Sequence, residues 1–214
     1  DQDSQDCLAC QAQVTGPVSI HIPDESLTPL EDTGGGDDGK TAVESPYFQF
    51  DAIDSVGTGG FGIAADIGTT TVAVYLCDLA TGQILDAQAA INPQRSFGED
   101  VISRIAAARE SADNQLALKS LVVSALNRLI DACLSTTGIE WDQISRMTIV
   151  GNATMQHIFS GLPINDLGVS PYQPVTCDAI ESAAADTGIL LPESSPEYVF
   201  PVIAGFLGGD ILSA

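Results

Sequence analysis

Three short apolar segments follow one another closely, and they set the reading of the chain. Residues 62–67 form an apolar run, 71–79 are β-branched and apolar, and 84–91 resume after a Thr81-Gly82 turn. Strands joined by tight turns predict a meander. Ser96-Phe97-Gly98-Glu99 has the Ser-x-x-Glu spacing of a capping box and predicts a helix running through Arg104 and beyond. Between 115 and 134, Leu118, Leu121, Val122, Ala125, Leu129 and Cys133 share one helical face. Residues 144–150 read as a buried strand, 153–160 as a helix and 198–203 as a further strand, with a last helix beginning near Asp210. The order predicts an α/β layer whose hairpin sheet is extended by parallel strands.

Upstream the pattern changes. Pro23, Pro29, Pro46 and the run Gly34-Gly35-Gly36-Asp37-Asp38-Gly39 mark residues 24–60 as an acidic, flexible linker. Residues 1–23 contain Val18, Ile20 and Ile22 in period-two alternation after a Gly16-Pro17 turn, the pattern of a closing strand. The expected organisation is an N-terminal remnant over 1–23, a linker over 24–60 and one lobe of a larger domain over 61–214.

Charge narrows the function classes. Seven Lys and Arg against 29 Asp and Glu leave a net charge of −22. Nucleic-acid binding draws on cations that neutralise phosphates, so it is disfavoured, and an acidic membrane surface would repel the chain. No apolar run has the length of a membrane span and no signal-peptide pattern opens the chain, so the expected location is the cytoplasm. So acidic a chain is also compatible with a salt-adapted proteome. Cys77, Cys133 and Cys177 stand alone and read as small buried hydrophobes, whereas Cys7 and Cys10 lie close together.

Candidate chemistry concentrates at three turns. Asp66 ends the first strand, and Gly68-Thr69-Thr70-Thr71 leads into the second. Gly68 lets a phosphate chain approach the backbone, and Thr69, Thr70 and Thr71 bring N–H and hydroxyl donors. Asp66 stands where a phosphate-bound Mg²⁺ needs a carboxylate. Gly151-Asn152-Ala153-Thr154 makes a strand-to-helix corner of the kind that exposes N–H groups at the end of a sheet. Gly205-Phe206-Leu207-Gly208-Gly209-Asp210 makes another, with Gly208 and Gly209 for close approach and Asp210 to position a metal or an attacking water. Competing structural readings are an ordinary Gly hairpin, a plain Gly-Asn turn and a helix N-cap at Asp210. His157, with no second ligand beside it, reads as structural or partner-facing.

An apolar strand, Asp66-Ile67-Gly68-Thr69-Thr70-Thr71 and a second apolar strand together resemble the phosphate-binding hairpin of the actin, sugar-kinase and heat-shock-chaperone ATPases, and the element order resembles a ribonuclease-H-like lobe. Adding Asn92-Pro93-Gln94, Phe97-Gly98-Glu99-Asp100-Val101-Ile102-Ser103-Arg104-Ile105, Val150-Gly151-Asn152-Ala153-Thr154-Met155 and Ile203-Ala204-Gly205-Phe206-Leu207-Gly208-Gly209-Asp210, the chain from Phe61 onward resembles the corrinoid-protein reductive activators. The resemblance implies ATP with Mg²⁺, a corrinoid protein of a methyltransferase system as partner, and ATP-driven reduction of Co(II) to Co(I). Leu8-Ala9-Cys10-Gln11-Ala12-Gln13-Val14-Thr15-Gly16 is similar to the tail of a plant-type, β-grasp ferredoxin domain. By that likeness Cys10 is the fourth ligand of a two-iron, two-sulfur cluster whose other ligands lie elsewhere. It also implies that a second, adenosine-binding lobe is missing and that these residues alone bind ATP poorly. A homodimer is compatible with it, and the electron donor is not specified. Two other functions stay open at this point: a small-molecule kinase with Asp210 as base, and a non-catalytic, actin-like assembly protein.

Overall fold

The computed structural model describes residues 60–193, 195–205 and 208–209. The readings for 1–23 and for the linker as far as residue 59, Cys7 and Cys10 among them, lie outside the described residues, as do Asp210 and the helix expected there.

The predicted meander is present as β1 (Phe61–Ile67), β2 (Thr71–Asp78) and β3 (Ile84–Ile91). Two helices follow, α1 (Val101–Glu110) and α2 (Ala112–Thr137), then β4 (Ile144–Gly151) and α3 (Ala153–Ser160). The series closes with β5 (Ile180–Ala183), the single-turn α4 (Ala184–Thr187) and β6 (Pro196–Val199). Among the described residues the strands form one six-stranded sheet in the order β3-β2-β1-β4-β6-β5. The pairs β1–β2, β2–β3 and β5–β6 are antiparallel, whereas β1–β4 and β4–β6 are parallel. The α/β expectation of a hairpin sheet extended by parallel strands therefore holds.

Register explains which face is the core. Alternate residues of a strand share a face, and the buried ones line up in rows across the sheet. Leu76, Ile63, Met147 and Glu197 form one row, and Val74, Ala65, Ile149 and Val199 the next. Helix α2 packs over this face. Its stripe of Leu118, Val122, Ala125, Leu126, Leu129, Ile130 and Cys133 is buried at helical spacing. Ser111 ends α1 and caps α2 by accepting from the Asn114 N–H, and Gly138, at φ 74°, terminates α2. No helix among the described residues is long and apolar enough to cross a membrane.

Four expectations change. Residues Pro93–Phe97 form a 3₁₀ turn, and α1 begins later, at Val101, capped by Asp100, which accepts from the Ser103 N–H at 2.7 Å. Ser96 is instead taken up in that 3₁₀ turn, its hydroxyl donating to the Pro93 carbonyl, and Glu99 pairs with exposed Arg95. The last strand is shorter than expected: it ends at Val199, and although Phe200 still donates to the Ile149 carbonyl, Val202 donates to the Cys177 carbonyl instead of to β4. Strand β5 and α4 were not anticipated: four-residue elements carry too little periodicity to be read, and β5 exists by pairing with β6. Cys133 is buried as expected, but Cys77 is only half-buried and Cys177 is exposed on a loop.

Candidate functional site

The three turns singled out in the sequence follow the C-terminal ends of β1, β4 and β6, which run parallel and adjacent. Parallel strands gather their outgoing loops at one edge, where open α/β sheets place ligands. Asp66 faces away from the α2 layer, in register with Ala73 and Val150, and is exposed. Thr70 and Thr71 are exposed beside it, whereas Gly68 and Thr69 are half-buried.

The backbone of the hairpin is clamped from behind. The Asn92 side-chain amide donates to the Gly68 carbonyl at 2.8 Å, the Asn92 backbone N–H donates to the Thr70 carbonyl at 2.8 Å, and Arg104 Nη2 donates to the Thr69 carbonyl at 2.6 Å. Three consecutive carbonyls thus have fixed partners. In a trans peptide the N–H points opposite to the carbonyl, so the N–H groups of Thr69, Thr70 and Thr71 are turned away from Asn92 and Arg104. The hairpin thus carries three consecutive backbone donors on the side away from its clamp, the kind of group an anion-binding nest uses.

Asn92 and Arg104 are themselves held rigidly. Asn92 and Gln94 are fully buried, with the Asn92 oxygen accepting from the Gln94 N–H at 2.9 Å. The Gln94 amide donates to the Leu118 carbonyl of α2 at 3.0 Å and its oxygen accepts from Arg104 at 3.3 Å. Arg104, with 0% exposure, also donates to the Gly98 carbonyl at 2.9 Å and meets Met155 Sδ at 3.3 Å. Burial works against its charged form, and the fields of Glu99 and Asp100 offset this.

The other two turns join the hairpin. Asn152 caps α3 by accepting from the Met155 N–H at 3.1 Å and donates its amide to the Thr69 hydroxyl at 3.0 Å. Gly151 lies so close to β1 that a Cβ there would stand 2.8 Å from the Ile67 carbonyl. Gly208 lies closer still to the Gly151 carbonyl and the Asn152 Cα, and any side chain would collide with them. Gln156 ties the edge together: its amide donates to the Phe200 carbonyl at 2.8 Å and its oxygen accepts from the Gly209 N–H at 3.2 Å. Gly68, Thr69, Thr70, Thr71, Gly151, Asn152, Gly208 and Gly209 are therefore brought together. Thr154 is elsewhere in character: it is 1% exposed, and its hydroxyl has no hydrogen-bond partner.

Sequence reading carried Asn92, Gln94 and Arg104 as parts of a likeness and gave them no role. The signal available for Arg104 was its place beside Ile105 and one turn before Ala108, the apolar residues that α1 buries with it. His157 is structural: 2% exposed, it holds Ala153 O through Nδ1 at 2.7 Å and accepts from the Val175 N–H through Nε2 at 3.1 Å. Among the described residues no group of three or more His, Cys, Asp or Glu could hold a metal ion by itself, so a cation here would need oxygens from a ligand as well as Asp66.

Comparison with known proteins agrees with this architecture. Residues 61–214 match the family model described as the RACo middle region. Over 150 residues the chain is 33% identical to the corrinoid activation enzyme RamQ of Eubacterium limosum, covering 70% of this chain and 25% of that protein. A solved structure, a reductive activator for corrinoid, iron-sulfur protein, aligns with a TM-score of 0.71 at 36% identity, over 74% of this chain and 25% of the other. The chain thus spans about a quarter of the length of the relatives it matches. With a fold shared with a solved activator, and with the family model matching everything from Phe61 onward, the chain belongs to the RACo middle region family.

Proposed function

We propose that this chain is the phosphate-holding part of an ATP-dependent activator of corrinoid methyltransferase proteins, in which hydrolysis is coupled to one-electron reduction of Co(II) to Co(I). The names of its relatives supply the corrinoid setting. The clamped hairpin carries the nucleotide part: three pinned carbonyls leave the N–H groups of Thr69, Thr70 and Thr71 aligned for a phosphate chain. In a chain of net charge −22 such donors must overcome general repulsion of an anion. That makes their fixed orientation the decisive feature.

In this reading exposed Thr70 and Thr71 add hydroxyl donors, Asn152 holds Thr69 in place, and the glycines at 68, 151, 208 and 209 admit the ligand to the backbone. Thr154 supports the corner from inside. Magnesium bound with the nucleotide would neutralise phosphate charge, and Asp66 is the carboxylate that would hold it, directly or through water. Asp210 would position the attacking water. A two-iron, two-sulfur cluster with Cys10 as one ligand, a corrinoid protein as partner and a cytoplasmic location complete the proposal on the resemblance alone.

The test uses the complete protein to which this chain belongs, mixed with a Co(II) corrinoid protein, a low-potential chemical reductant and ATP. Co(I) absorbance should rise only with hydrolysable ATP, and Asp66→Ala should abolish hydrolysis. A wild-type protein that neither hydrolyses ATP nor yields Co(I) would end this reading. Phosphoryl transfer to a small hydroxyl substrate would favour the kinase instead.

A further inference from the structure

Arg104 has no carboxylate among the described residues in direct contact with its guanidinium, although the fields of Glu99 and Asp100 favour its charged form. Its guanidinium is bonded to the carbonyls of Thr69 and Gly98, to the Gln94 amide oxygen and to the Met155 thioether. Among the described residues the recorded ion pair is between Arg95 and Glu99, at the exposed surface. Burying a charge without a paired opposite charge is costly, and neutral packing would hold a turn more cheaply. The guanidinium lies on the carbonyl side of the Thr69–Thr70 peptide, and the Thr70 N–H points to the opposite side. A cation on a carbonyl polarises the peptide and strengthens its N–H as a donor.

We propose that Arg104 is a positioning residue for the phosphate chain, acting through the Thr69–Thr70 peptide: it orients and polarises the Thr70 N–H. The bound phosphate adds to the balancing fields of Glu99 and Asp100. The inference rests on the nucleotide reading above and assigns it a residue that never touches the ligand. It separates Arg104 from Asn92, whose neutral bonds set only the shape of the turn. Polyphosphate affinity, rather than nucleoside affinity, is then the quantity that Arg104 controls.

The experiment is a titration of the complete protein with ATP, ADP and adenosine, for wild type, Arg104→Met, Arg104→Lys, Gln94→Glu and the surface control Arg109→Met. Arg104→Met should weaken ATP and ADP by about tenfold or more, the scale of one charge-assisted hydrogen bond, with adenosine unchanged. Arg104→Lys should recover part of the loss. Gln94→Glu places a carboxylate against the intact guanidinium and should weaken ATP in the same way, which keeps the test decisive if Arg104→Met does not fold. Wild-type binding of ATP with Gln94→Glu and any folded Arg104 variant at wild-type affinity would overturn this inference alone, as would an equal loss for adenosine. Wild type that binds no ATP would overturn the nucleotide reading and this inference with it.

Discussion

Arg104 Nη2 donates to the carbonyl oxygen of Thr69 over 2.6 Å, across 35 residues of chain. That bond joins the first turn of α1 to the hairpin between β1 and β2, so the orientation of the hairpin depends on where the helix is packed. Because α1 is docked against α2 and the 3₁₀ turn at Pro93–Phe97, the donors of the hairpin inherit the rigidity of the core.

Gly151 tests the close approach of β4 to β1. Gly151→Ala is expected to destabilise the fold by about 1–3 kcal/mol, since the new methyl meets the Ile67 carbonyl, a backbone atom that cannot move aside. Gly60→Ala, whose Cβ would have 3.5 Å to its nearest neighbour, should change stability by less than about 0.5 kcal/mol. Urea unfolding of both variants measures the difference.

Glu197 is fully buried in the core-facing row of β6 and accepts from Thr187 at 2.7 Å and Ser182 at 3.4 Å. Burial raises its pKa above the ordinary 4.5, with Thr187, Ser182 and Lys119 opposing the rise. The folded state then holds the proton more tightly than the unfolded one, so this group's contribution is full below pH 4.5 and is lost as pH rises through the folded value. Glu197→Gln should be at least as stable as wild type at pH 7, with the stability difference shrinking or reversing toward pH 4.5 in matched denaturant curves.

His157 should act in the opposite window. Burial lowers its pKa below 6.5, with the bond to the Ala153 carbonyl opposing, and Nε2 must stay unprotonated to accept from Val175. Its contribution is full above pH 6.5 and is lost as pH falls through the depressed folded value. Hydrogen exchange of the Val175 amide, corrected for intrinsic rates, should lose protection on acidification, and unchanged protection down to pH 4 would refute the assignment.

The cysteines should label in order of exposure. Cys133 is buried and its thiol is pushed up to about 12, chiefly by burial and then by Asp86, while Cys177 is exposed. Iodoacetamide at pH 8 should therefore modify Cys177 in the native protein and Cys133 only after unfolding, as read by peptide mass spectrometry.

The elements that repeat a pattern were legible in the sequence. The apolar runs of β1 and β2 and the apolar stripe of α2 are local records of burial, and they located the strands, the helix and the hairpin between Asp66 and Thr71. Elements that lean on neighbours were not: β5 forms by pairing with β6, and α1 starts after Asp100, which caps the Ser103 N–H, because Ser96 is taken up in the preceding 3₁₀ turn.

The sequence by itself thus determined the fold class, the hairpin between Asp66 and Thr71 and the glycines of three converging turns. Only the tertiary structure decided what holds the backbone of that hairpin in place. Asn92 and Arg104 reach Gly68 and Thr69 from 24 and 35 residues away. A hydrogen bond across such a separation imposes no period and no local composition. Its existence follows from how β3, α1 and α2 pack, and it becomes readable only when those elements are in place.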